Sequence, residues 1–148
     1  MRIRTKLSLK YPPVRLTHKQ RLAVAGGFGQ YFRERGLRAW ACAIVPDHIH
    51  LVLESGSYDP KRLVVQLKGG ATRALKQQGI HPLKQYADEH GTVPKCFAKG
   101  QWVVYLDPDD VGPAIRYVNN NPVKEGLPSQ VWPFIAETMT SRSAPPRG

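Results

Sequence analysis

The chain has 148 residues, enough for one hydrophobic core and too few for two comfortable ones. An apolar fraction of 41% with 9% aromatic residues excludes a chain that is disordered throughout. With 22 Lys and Arg against 11 Asp and Glu the net charge is +11, which points to polyanions as partners, nucleic acid first among them because neutralised phosphates release counterions; a basic surface without such a role is the plainer alternative.

Residues 3 to 11 alternate, with Ile3, Thr5, Leu7 and Leu9 on one face and Arg4, Lys6, Ser8 and Lys10 on the other, which predicts a half-buried strand ended by Pro12-Pro13. Thr17-His18-Lys19-Gln20 has the spacing of a capping box and opens a helix running to about Gly36, with Leu22, Ala25, Phe28 and Phe32 as its buried stripe. Gly26-Gly27 weakens that helix by roughly 1 kcal/mol per glycine relative to alanine, so close packing is expected there. Leu37 to Val45 and Ile49 to Glu54 are β-leaning runs separated by Pro46-Asp47, the pattern of an antiparallel hairpin. Residues 61 to 78 read as a helix with Leu63, Val64, Leu67, Ala71, Ala74 and Leu75 on one arc and Lys61, Lys68, Arg73 and Lys76 on the other.

The stretch from Gly79 to Gly100 is loop-rich, and its His81 and His90 are expected at the surface, since neither has a partner at metal-site spacing. Gln101 to Leu106 has the aromatic and β-branched content of a strand, and Asp107-Pro108-Asp109-Asp110 offers a helix cap with acids suited to the dipole. The following helix is expected to stop near Asn121, because Pro122 disfavours helical geometry before it, and Pro113 fits only in the first turn. Val131-Trp132-Pro133-Phe134-Ile135 is expected to anchor the chain end on the core. One domain over 1–136 and a flexible tail over 137–148 follow. Cys42 and Cys96 are far apart and outside any CxxC pair, which reads as two reduced thiols; with no apolar leader or membrane-length run, a cytoplasmic chain that makes no membrane contact is expected.

Strand, helix, hairpin, helix, strand, helix is an α+β plan of the ferredoxin-like kind, an antiparallel sheet covered by helices. In it, Pro46-Asp47-His48-Ile49-His50-Leu51 puts His48 and His50 on one face of a strand about 7 Å apart, half of a divalent-metal site. Two histidines alone are as compatible with a structural pair as with a metal. Tyr117 and Asn121, four apart, share one helical face and are able to address a single site.

Val45-Pro46-Asp47-His48-Ile49-His50-Leu51, Gln66-Leu67-Lys68-Gly69, the strand at Trp102 and Tyr117-Val118-Asn119-Asn120-Asn121-Pro122-Val123-Lys124-Glu125-Gly126-Leu127 occur in an order that resembles the single-tyrosine HUH transposases. Specifically, the chain resembles the REP-associated tyrosine transposases and their insertion-sequence-200-type relatives, over about residues 3 to 130. The resemblance implies a nuclease and strand transferase acting on single-stranded DNA, often at imperfect hairpins, as a monomer or homodimer. It implies His48, His50 and Asn121 as ligands of Mg²⁺ or Mn²⁺ and Tyr117 as the nucleophile, with a 5′-phosphotyrosine and a free 3′-OH as products. Lys68, Arg73, Arg116 and Lys124 are candidates for phosphate contacts on charge and expected proximity.

Tyr105 and Tyr86 are rival nucleophiles in principle, though a strand tyrosine beside Trp102 reads more readily as core or stacking material. Two other functions compete: a nucleic-acid-binding domain without cleavage, and a phosphoesterase using the two histidines as acid and base. Only the tyrosine reading requires a covalent adduct with DNA.

Overall fold

The computed structural model describes residues 14–54, 56, 58–97, 102–106 and 111–136, together with the backbone of Arg2–Ile3. The rest of the strand expected over residues 3 to 11, Pro12-Pro13, the Asp107–Asp110 cap and the tail from 137 lie outside them. The described elements are β1 (Arg2–Ile3), α1 (His18–Arg35), β2 (Ala39–Ile44), β3 (Ile49–Leu53), α2 (Pro60–Gln77), a short 3-10 turn (Lys84–Tyr86), β4 (Trp102–Leu106) and α3 (Val111–Lys124).

Local chemistry sets the helix ends. At α1 the capping box is complete, the Gln20 N–H donating to Thr17 Oγ1 at 3.2 Å and the Thr17 N–H to Gln20 Oε1 at 2.8 Å. At α2 the Asp59 carboxylate accepts from the Lys61 N–H at 3.1 Å, with Pro60 in the first turn. α3 does not stop at Asn121 but carries Pro122 inside it and runs to Lys124. The reason is a Schellman closure two residues later. Gly126 adopts φ 81°, its N–H bonds the Val123 carbonyl at 3.0 Å, and the Leu127 N–H bonds that of Pro122 at 2.8 Å. Pro113 falls in the first turn, where its missing N–H has no intrahelical partner to lose.

Strand order is β1-β4-β3-β2. β2 and β3 form the expected antiparallel hairpin, closed by the Val45 N–H to the His48 carbonyl at 3.0 Å. The α+β plan of a sheet covered by helices holds, but the sheet is mixed rather than wholly antiparallel: β3 and β4 run parallel, from Ile49↔Trp102 to Leu53↔Leu106. Between them lie α2 and the 3-10 turn, a crossover that returns the chain to the same end of the sheet, which a hairpin does not do.

Both faces of the sheet are covered, so β2 and β3 are buried almost throughout rather than alternating. On one face Phe28 and Phe32 of α1 and Leu63, Leu67, Ala71 and Leu75 of α2 pack on Cys42, Ile44, Leu51, Leu53, Trp102 and Val104. On the other, Ile115 and Val118 of α3 pack on Ala41, Ala43 and Val52. Leu22 is not part of the α1 stripe; it is 48% exposed, on the outward arc with Gly26. His81 is not a surface residue either. It is buried, its Nδ1 accepting the Leu83 N–H at 3.1 Å while its buried Nε2 has no hydrogen-bond partner among the described residues. His90 is exposed as expected. Cys42 and Cys96 are buried free thiols; burial, opposed by a hydrogen bond to Thr72, pushes Cys96 up to about 11.

At Gly27 a Cβ would sit 2.7 Å from the Gly70 carbonyl oxygen, whereas at Gly26 it would meet nothing within 4 Å. Gly27→Ala is therefore expected to lower stability by about 1–3 kcal/mol by forcing α1 off α2. Gly26→Ala is expected to raise it by up to about 1 kcal/mol. Urea denaturation of the two variants checks the pair.

Burial first, then the charge of Lys76, holds the His81 imidazole below its ordinary 6.5. Above 6.5 both the folded and unfolded chains leave it neutral; as pH falls through 6.5 the unfolded chain takes a proton that the folded chain resists, and stability is lost until the folded value is passed. His81→Asn keeps an acceptor for the Leu83 N–H and removes that titration. Its melting temperature is expected to fall less than wild type between about pH 7 and about pH 5.

Candidate active site

His48 sits at the end of the Pro46-Asp47 turn and His50 on β3, opposite Ala43 of β2 and Val103 of β4. Ala43 packs on α3, so both imidazoles lie on the α3 side of the sheet, their ring centroids 5.9 Å apart. α3 is held by Ile115 and Val118, and Tyr117, Asn121 and Lys124 form a stripe about a quarter turn away from that anchor. This geometry sets the Tyr117 ring edge-on to His50, with centroids 6.1 Å apart, and leaves the tyrosine 48% exposed. The Lys124 ammonium stands over the same ring, 5.7 Å from its centroid.

These side chains surround one cavity of about 240 Å³, lined by Val45, His48, His50, Val103, Tyr105, Tyr117, Asn121, Lys124 and Glu125. Asn121 is buried, and its Oδ1 has no hydrogen-bond partner among the described residues. An orphaned amide oxygen in the wall of a cavity that also holds two imidazoles is an acceptor waiting for a cation or a donor. Nδ1 of His48 lies 3.0 Å from Oδ1 of Asp47, whose other oxygen is 3.7 Å from the Arg15 guanidinium. Partial burial works to raise the Asp47 carboxyl, but His48, the backbone and Arg15 outweigh it and hold the group below the usual carboxylate range. A carboxylate on Nδ1 keeps the proton there and turns the Nε2 lone pair outward.

The structure thus brings together His48, His50, Tyr117 and Asn121, with Lys124 alone of the four basic candidates. Arg116 is exposed on α3 and does not line the cavity. Lys68 is on the other face of the sheet, its ammonium 5.4 Å over the Trp102 ring, and Arg73 on α2 folds back over Gly69. Two polar lining residues go beyond those the sequence places at this site, where Tyr105 reads as core or stacking material and Glu125 is not singled out. Tyr105 follows Val103 on the same face of β4, a period-2 signal present in the sequence, and Glu125 lies one turn beyond Asn121. Among the described residues no group of three His, Cys, Asp or Glu side chains is placed to hold a metal.

The family model described as "Transposase IS200 like" matches residues 5–121, which include both histidines, Tyr117 and Asn121. The chain belongs to the IS200-like transposase family. Its function is accordingly transposase-like, its partner is DNA, and the +11 charge fits that partner. No curated protein and no solved structure matches the chain. No helix among the described residues of this IS200-like protein is long and apolar enough to cross a membrane.

The orphaned Asn121 oxygen has a measurable consequence. With a chelator present, Asn121→Leu, near-isosteric and without the unsatisfied group, is expected to be more stable than wild type by about 1 kcal/mol. Thermal denaturation in EDTA reads the difference.

Proposed function

We propose that the protein is a metal-dependent single-stranded DNA endonuclease and strand transferase that forms a 5′-phosphotyrosine intermediate, acting on hairpin-forming repeat DNA. The observation that carries the reading is the convergence of Tyr117, His48, His50 and Asn121 on one cavity from elements about 70 residues apart.

Tyr117 is the nucleophile. Its half-exposed ring lets a DNA strand reach the phenol oxygen, which attacks the scissile phosphorus. The bond from phosphorus to the 3′ oxygen breaks as the bond to tyrosine forms; the phenol proton passes to water and the departing oxygen ends as a 3′-OH. One phosphodiester bond is exchanged for another, so the step runs backwards when a second 3′-OH attacks the phosphotyrosine. That reversal is strand transfer.

His48, His50 and Asn121 fit a divalent ion, because the two imidazoles and the orphaned amide oxygen face one space and Asp47 orients His48. Nitrogen and amide-oxygen donors accept several such ions, Mg²⁺ and Mn²⁺ among them. When bound, the ion supplies Lewis-acid polarisation of the scissile phosphate. Lys124, beside Tyr117, contributes a positive charge where the phosphate lies during attack. Val45 and Val103 give the cavity an apolar floor that limits water around the reacting oxygen.

Single-stranded hairpin DNA incubated with Mn²⁺ should yield a covalent protein–DNA adduct stable to denaturation. Tyr117→Phe is expected to abolish it while DNA affinity changes by less than about twofold, and His48→Ala or His50→Ala to lower the metal-dependent rate by at least about 100-fold. An adduct that survives Tyr117→Phe sinks the assignment. Turnover without any adduct would instead favour histidine acid–base chemistry.

A further inference from the structure

On the face of the sheet turned away from the histidines, α1 and the segment after α3 enclose a groove of about 600 Å³. Its walls are Gly26, Gly29, Arg33 and Gly36 on one side and Trp132-Pro133-Phe134 on the other, and Arg38, just before β2, also lines it. Three aromatic rings form a ladder there. Phe32 stacks on Phe134 at 5.2 Å and 15°, and Phe134 on Trp132 at 6.4 Å and 4°. Phe32 and Phe134 are buried, and Trp132, the end of the ladder, is only partly buried.

The wall is held in place. Gln130 donates to the Ile44 carbonyl at 2.8 Å and accepts the Ile44 N–H at 2.9 Å, so one side-chain amide pairs with the β2 edge as a strand would. The Trp132 indole N–H donates to the Cys42 carbonyl at 3.2 Å, fixing the ring plane, and Ile135 bridges Ala39. Across the groove the outward arc of α1 is nearly bare, since a Cβ at Gly26 or Gly36 would meet nothing within 4 Å. Among the described residues no carboxylate lines the groove, and neither Arg33 nor Arg38 is ion-paired.

A rigid, partly accessible ring at the end of a stack, two guanidinium groups without an ion pair among the described residues and an open floor suit an unpaired nucleobase with its phosphates. We propose that this groove is a second DNA subsite, in which one unpaired base continues the stack on Trp132 and the adjoining phosphates meet Arg33 and Arg38. The proposal rests on the reading that the substrate is single-stranded DNA. Its aromatic wall, Trp132-Pro133-Phe134, lies beyond the matched residues 5–121, whereas Arg33 and Arg38 lie within them. Such a subsite also gives the partly accessible Trp132 a use that core packing alone does not.

The test is metal-free binding of a short, hairpin-less fluorescent oligodeoxynucleotide to the full chain in EDTA, read by anisotropy across a salt series. Arg33→Gln with Arg38→Gln is expected to weaken binding about tenfold and to reduce the slope of log K against log salt by about 1.4, two single-strand phosphate contacts. Lys84→Gln, an exposed charge elsewhere, should change affinity by less than about twofold. Trp132→Leu should weaken binding about tenfold with the slope unchanged. Because Trp132 also pins the wall, an iodouracil-bearing strand photocrosslinked to the wild-type chain provides an independent readout, and the crosslink is expected on Trp132. The proposal is overturned if the double arginine variant keeps affinity and slope, if crosslinks map away from the groove, or if the wild-type chain binds no single strand. Binding through the groove without any Tyr117 adduct would remove the cleavage reading and leave this subsite standing.

Discussion

Ile115 and Val118 rest on Ala41, Ala43 and Val52, and the candidate active site depends on that contact. Two alanines on β2 leave a shallow surface on which a helix can lie close to the sheet. With α3 so placed, its next stripe of side chains meets the strand that carries the histidines. A larger residue at Ala43, which pairs with His50, would lift α3 and separate Tyr117 from the imidazoles while leaving both elements folded. Positioning here is a property of small side chains distant from the chemistry.

The same sheet divides its work between its faces. Towards α3 it offers polar groups around a small cavity, including an amide oxygen that the fold leaves unsatisfied. Such a group is destabilising in the empty protein and becomes favourable only when something binds it, as expected of a site shaped for a ligand rather than for stability. Towards α1 and α2 it is a conventional apolar core, and the close contact of Gly27 with Gly70 locks the two helices together. That rigidity fixes the strand that carries His50 and begins just after His48. The chain after α3 closes the β2 edge, which otherwise exposes unpaired backbone groups.

Much of this was legible from residue spacing because it is local. The Thr17–Gln20 box, the Pro46-Asp47 turn, the packing at Gly27, and the i, i+4 relation of Tyr117 and Asn121 each need only a few neighbouring residues. What the sequence did not reveal depended on distant pairings. The parallel register of β3 with β4 is decided by a crossover of some 50 residues, whose re-entry point no periodicity encodes. His81 is buried with its Nδ1 on a backbone N–H, and the Lys68 ammonium lies over the Trp102 ring, so neither the burial of one nor the position of the other follows from charge. α3 runs through Pro122 because the turn at Gly126 closes the helix strongly enough to carry it past a proline. The aromatic ladder of Phe32, Phe134 and Trp132 joins residues about 100 apart and had no local signature.

The central claim is that the tyrosine one turn before Asn121, and no other, reaches phosphorus in a cavity shared with His48 and His50. It is tested most directly by locating the bond. Protein incubated with single-stranded hairpin DNA and Mn²⁺ is digested with protease and nuclease, and the residue bearing the nucleotide is found by mass spectrometry. The account predicts a 5′-phosphate on Tyr117. A nucleotide on Tyr105, whose ring lines the same cavity, or on any other residue, would contradict it.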